Sequence, residues 1–112
     1  MTGSVTDLDP AAARSLLESN SATLIDVRDD DEWAAGHAPD ATHVPLASVD
    51  PTAYDPQHQL VVVCRSGGRS SKAAAALADA GLAVHNLTGG MTAWAKAGYP
   101  VVRDDGTEGT VA

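Results

Sequence analysis

One stretch of the sequence restricts the fold more than any other: Leu60-Val61-Val62-Val63-Cys64-Arg65-Ser66-Gly67-Gly68-Arg69-Ser70-Ser71-Lys72. The continuous apolar run 60–63 predicts a central parallel strand covered on both faces. It ends at the only cysteine of the chain. A short basic loop with Gly67 and Gly68 follows, and then an alanine-rich segment from Arg69 to Ala80, stopped by Gly81, that predicts a helix. A strand that delivers a lone thiol to the mouth of a helix favours a reactive thiolate, so the segment speaks about chemistry as well as fold.

The rest of the chain repeats the alternation. Asp9-Pro10 followed by 11–18 predicts a helix with Pro10 in its first turn. Residues 24–27 are a short apolar strand. Residues 29–35 predict a helix with acids at its positive end, stopped by Gly36. Residues 42–44 are a brief strand ended by Pro45, and 46–58, with Pro51 and Pro56, read as loop with at most one helical turn. A strand is expected at 83–87, a helix at 91–97 between Gly90 and Gly98, and an extended segment at 99–102. Strands alternating with helices imply an α/β domain: a mainly parallel central sheet of about five strands with helices on both faces. Ligands of such sheets bind beyond the C-terminal strand ends, where Cys64 lies. Residues 1–103 are expected to form this single domain, and the polar, glycine-containing 104–112 a frayed, flexible tail.

Composition narrows the partners. With two Trp, two Tyr and no Phe, the core must come from Val, Leu, Ile and Ala. A formal net charge of -8 argues against nucleic acid or an anionic membrane as partner. No stretch is apolar enough to span a bilayer and no signal-peptide pattern opens the sequence, so a cytoplasmic location is expected. One cysteine excludes an internal disulfide, a thiolate zinc cluster and a CxxC redox pair, so any disulfide or persulfide chemistry needs a thiol from another molecule. The run Asp29-Asp30-Asp31-Glu32 reads as a solvated helix start rather than a metal site. Four scattered His lack metal-ligand spacing.

Three features of the loop should favour the thiolate, the form that acts as nucleophile. The helix near Arg69 presents its positive dipole end and unpaired N–H groups. Gly67 and Gly68 let successive N–H groups curl inward as an anion-binding nest. Arg65 and Arg69 add positive charge where they fold toward the loop. Ser66 and Ser70 can donate hydroxyl hydrogen bonds, and Ser70 can instead cap the helix. The bland alternative is a buried structural cysteine, which needs neither two arginines nor two glycines after it.

The motifs resemble those of the single-domain rhodanese family of sulfurtransferases over about residues 5–103. Leu24-Ile25-Asp26-Val27-Arg28 with Glu32-Trp33 and Gly36-His37, then Val44-Pro45, then Cys64 to Ser70, then Leu87-Thr88-Gly89-Gly90 with Ala93-Trp94 occur in the family's order. Ala38, Asp40 and His43 depart from its usual residues, and none lies in the loop. The resemblance implies a rhodanese-like three-layer α/β fold. It implies that Cys64 takes a sulfane sulfur as a persulfide from a small anionic donor such as thiosulfate. An external thiophilic acceptor (cyanide, a thiol or a protein) then receives it. Arg65 and Arg69 would hold the donor, and the N–H groups from Arg65 through Ser66, Gly67, Gly68 and Arg69 to Ser70 would cradle the sulfur. No metal or organic cofactor is implied, and a monomer or weak dimer is expected.

Two other functions compete. A phosphatase or arsenate reductase needs five residues between cysteine and arginine to surround a tetrahedral oxyanion; here Arg69 follows only four, and Ser70 stands in the arginine's place. A non-catalytic partner-binding module often lacks the cysteine that this chain keeps. Of the remaining residues, Trp33 and Trp94 read as core packing and His37 as a loop-holding hydrogen bonder. His58 and His85 look ordinary, and Asp26 with Arg28 reads as a buried pair shaping the site rim.

Overall fold

A computed structural model describes residues 4–112. Five strands form one sheet: β1 (Val5–Leu8), β2 (Ala22–Asp26), β3 (Thr42–His43), β4 (Gln59–Val63) and β5 (Val84–Leu87). Every pairing is parallel and the order is β1-β5-β4-β2-β3, with β4 at the centre. Four helices connect them: α1 (Pro10–Glu18), α2 (Asp30–Ala35), α3 (Gly68–Asp79) and α4 (Gly90–Lys96). Two short 3-10 turns, Leu46–Ser48 and Pro51–Ala53, occupy the loop expected at 46–58.

The alternating side chains of β4 explain the three layers. Leu60, Val62 and Cys64 face one core, shared with Ile25, Val27 and the α3 residues Ala73, Ala74, Leu77 and Ala78. Val61 and Val63 face the other, shared with Ala13 of α1 and Met91 and Trp94 of α4. Alanine on the buried face of α3 lets that helix approach the sheet closely, which suits a core without phenylalanine. No helix among the described residues is long and apolar enough to cross a membrane.

Local signals set the ends of the helices. The Asp9 side chain accepts the Ala12 N–H at 2.8 Å, and Pro10 opens α1. Gly67 caps α3 in the left-handed region at φ 120°. Ser70 lies inside α3 rather than at its cap, so its hydroxyl is released for another use.

Two expectations are corrected, and one strand is new. The fifth strand is β1, which the sequence reading left unassigned; the extended segment 99–102 stays outside the sheet. Pro100 has no N–H, the Tyr99 N–H goes to Trp94 O, and Val102 pairs only with His37 and Glu108 as isolated antiparallel bridges. Residues 104–112 do not fray away from the domain. Gly109 N–H donates to Val101 O at 2.8 Å, Thr110 N–H donates to Ala35 O at 2.9 Å, and Val111 packs on the second core. Trp94 is core as expected, 4 % exposed, but Trp33 is only half-buried. Its ring stacks on His37 at 3.5 Å and on His43 at 4.8 Å between centroids.

Candidate active site

Cys64 follows β4 directly, at the C-terminal edge of the central strand, and is 1 % exposed. Its carbonyl is tied down by the Met91 N–H at 2.7 Å, and that of Arg65 by the Thr92 N–H at 3.0 Å. With these carbonyls held by the first turn of α4, the N–H groups of Ser66 and Gly67 that follow are the ones that reach the thiol. The close approach depends on Gly90, at φ 60°, where an added Cβ would lie 2.5 Å from Arg65 O.

The sulfur is surrounded by donors. Gly67 N–H donates to Sγ at 3.0 Å, and the Ser70 hydroxyl lies 3.3 Å away. Burial pushes the thiol up, but hydrogen bonds from the Ser70 hydroxyl and from the backbone N–H groups of Ser70, Gly67 and Ser66 outweigh it. The group therefore titrates below its ordinary value. Of the nest expected at Gly67 and Gly68, the Gly67 N–H reaches the sulfur; Gly68 stands open, with nothing within 4 Å of an added Cβ.

The two arginines separate. Arg65 is exposed and forms no ion pair among the described residues. Arg69 turns away to Glu32, which receives Nη1 at 2.5 Å and Nη2 at 2.8 Å, with Asp29 at 3.8 Å. The Arg69 hydrogen bonds pull the Glu32 carboxyl down to about 2, against the opposing effect of its partial burial. Glu32 in turn raises the Arg69 pKa. Of the acidic run, Asp30 and Asp31 are the solvated helix start that was expected, while Glu32 serves the loop.

The rim is rigid. Asp26 and Arg28 are both 0 % exposed and bonded through Nε to Oδ1 at 3.0 Å and Nη2 to Oδ2 at 2.8 Å. Arg28 also donates to Gly36 O at 2.7 Å, and its own carbonyl meets His43 Nε2 at 2.8 Å. His37 holds the neighbouring loop, with Nδ1 2.9 Å from Trp33 O.

Three comparisons bear on this arrangement. The family model described as "Rhodanese-like domain" matches residues 9–97. The chain belongs to the rhodanese-like family. A sulfurtransferase of Allochromatium vinosum is 36% identical over 97 residues, covering 84% of this chain and 91% of that protein. The thiosulfate sulfurtransferase GlpE of Actinobacillus pleuropneumoniae is 31% identical over 106 residues, covering 90% and 96%. A solved rhodanese-related protein of Thermoplasma volcanium superposes with a TM-score of 0.79 at 25% identity, covering 87% of this chain and 97% of that one.

Within this rhodanese-like domain the structure brings Cys64, Gly67 and Ser70 together, while sequence reasoning assigned no role at the site to Glu32, Gly90 or Asn86. Asn86 lies 6 % exposed in β5 with its Oδ1 2.6 Å from Ser70 Oγ. A polar residue between Val84 and Leu87 was the available signal.

Proposed function

We propose that the protein is a sulfurtransferase that carries a sulfane sulfur on Cys64, in a reducing, cytoplasmic setting where a lone thiol stays free. The observation that carries this reading is the thiol at the centre of the parallel sheet, held toward its anion by Gly67 N–H and the Ser70 hydroxyl. The sulfurtransferase names of the relatives above support it.

In the first half-reaction the Cys64 thiolate attacks the outer sulfur of an anionic donor such as thiosulfate. The new S–S bond forms as the old one breaks, and its electron pair departs on sulfite. In the second, an external nucleophile attacks the persulfide's outer sulfur and Cys64 leaves as thiolate. Cyanide would yield thiocyanate, and a small or protein thiol would yield its own persulfide. Electrons balance without an added oxidant. Arg65 and the N–H groups of Ser66, Gly67 and Ser70 supply the positive field for the donor and the departing anion. Arg69 contributes mainly by holding the loop against Glu32.

The test is thiocyanate formation from thiosulfate and cyanide by the wild type and by Cys64→Ala. A rate lost in the variant, with one added sulfur on Cys64 by mass spectrometry, supports the reading; equal rates, or no adduct with several donors, overturn it.

A further inference from the structure

The Ser70 hydroxyl carries one hydrogen and faces three acceptors: Cys64 Sγ at 3.3 Å, Gly67 O at 3.1 Å and Asn86 Oδ1 at 2.6 Å. Gly67 O already receives the Ser71 N–H at 3.1 Å, and Asn86 Oδ1 is the nearest of the three acceptors, so the main contest for the hydrogen lies between Cys64 and Asn86. Ser70 is 0 % exposed, so its hydrogen has no recourse to water. The other end of the Asn86 amide, Nδ2, meets Ser71 Oγ at 3.1 Å.

Both amide partners are hydroxyls, and each can donate or accept. The amide therefore satisfies both in either orientation. With Oδ1 on Ser70, the Ser70 hydrogen points to Asn86 and the Ser70 lone pairs face the sulfur. That arrangement suits a neutral thiol, which donates its own hydrogen to Ser70 Oγ. Once the thiol proton leaves to solvent, those lone pairs face a thiolate. With the amide turned over, Nδ2 donates to Ser70 Oγ, the Ser71 hydroxyl donates to Oδ1, and the Ser70 hydrogen is free for Sγ. The bonds along the chain then run in one direction toward the negative sulfur and reinforce one another.

We propose that Asn86 is a positioning residue for Cys64: its amide turns over as the thiol ionises and becomes the donor that holds the Ser70 hydroxyl on Sγ. This rests on the sulfurtransferase reading only for its use; the hydrogen-bond chain is measurable without sulfur transfer.

The experiment is the pH profile of Cys64 alkylation by iodoacetamide, which has no background because the chain has no other thiol. Ser70→Ala is expected to raise the apparent pKa by about one to two units, the worth of one hydrogen bond to a charged group. Asn86→Asp keeps the shape, but above the carboxylate range it only accepts. It should raise the pKa by about one unit or more, and by less than half as much in the Ser70→Ala background. Asn86→Val, similar in size and suited to a strand, removes the amide donor but leaves the Ser70 hydrogen free to turn, so it should raise the pKa by about half a unit, less than Asn86→Asp does. Circular dichroism reports folding of each. An equal Asn86→Asp shift in both backgrounds, or an Asn86→Val shift as large as that of Asn86→Asp, overturns the proposal. Loss of sulfur transfer with this pattern intact would overturn the function and leave the positioning role standing.

Discussion

Arg69 and Glu32 meet as a two-pronged pair across 37 residues of sequence, with Nη1–Oε1 at 2.5 Å and Nη2–Oε2 at 2.8 Å. The pair ties the first turn of α3, which forms one wall of the Cys64 loop, to the first turn of α2. It also neutralises Arg69, leaving Arg65 as the exposed cation of the loop. The two arginines should therefore fail differently when removed. Arg65→Ala is expected to raise the KM for thiosulfate about 10-fold, the effect of losing one charge-assisted contact, with little change in stability. Arg69→Ala should lower stability by about 1–2 kcal/mol and affect the KM less. Steady-state kinetics beside urea unfolding separates the two; a larger KM effect from Arg69→Ala would reverse the assignment.

The same pair predicts an acid limb in stability. Glu32 titrates near 2 when folded and near 4.5 when unfolded. A depressed carboxylate contributes stability above its unfolded value and loses it as pH falls toward the folded one. The window is thus about pH 4.5 down to about 2. Glu32→Gln should cost about 1–2 kcal/mol at pH 7, after allowance for the partial exposure of Arg69. The gap to wild type should close on acidification through that window. A gap independent of pH, measured by thermal melts from pH 7 to 2, would show that the charge of Glu32 is not what holds the loop.

How legible all this was follows from the range of each interaction. The loop could be read because its parts lie within nine residues: an apolar strand, a thiol and two glycines, the first of which turns its N–H to the sulfur. The rim pair Asp26 and Arg28 was legible for the same reason, being two residues apart at a strand end. β1 was not. Val5-Thr6-Asp7-Leu8 is an edge strand with its first three residues exposed, so burial imposed no pattern on it. The Glu32–Arg69 pair and the Asn86–Ser70 contact join segments that only the sheet order brings together. The folded-back tail depends on backbone N–H groups of Gly109 and Thr110, which leave no mark in side-chain pattern.

Two glycines of the site should respond in opposite ways. Gly90 sits at φ 60°, and an added Cβ would meet the Cys64 and Arg65 carbonyls, which are backbone and have no room to retreat. Gly90→Ala is expected to cost about 3–4 kcal/mol and to abolish sulfur transfer by pushing α4 off the loop. Gly68, the first residue of α3, has open space around it and an ordinary φ. Gly68→Ala should leave stability unchanged or raise it by up to about 1 kcal/mol. Urea unfolding of both, with thiocyanate formation, checks the contrast; a tolerated Gly90→Ala would mean that the loop carbonyls are not pinned by α4.

Removal of Arg28 tests the rim. Asp26 is fully buried and has Arg28 as its cation, so Arg28→Ala leaves an uncompensated charge in the core. The expected cost is about 3–5 kcal/mol. Asp26→Ala with Arg28→Ala should cost less than Arg28→Ala alone, because no buried charge then remains. A double variant no more stable than Arg28→Ala would indicate that Arg28 matters through Gly36 O rather than through Asp26.

The chain beyond Arg103 should matter to the fold although it lies outside the domain bounds that sequence suggests. Asp104 receives the Trp33 Nε1–H at 3.2 Å. Gly109 and Thr110 cross directly over Gly36, where an added Cβ would lie 2.6 Å from Thr110 O, so the two backbones are in contact. Gly36 also carries the carbonyl that Arg28 uses, which links the tail to the rim of the site. Truncation after Arg103 removes these bonds and uncovers the apolar patch under Val111. The expected loss is about 2 kcal/mol, which for a domain of this size lowers the Tm by roughly 10 °C. A truncated chain that melts with the wild type would restore the view of these residues as a dispensable tail.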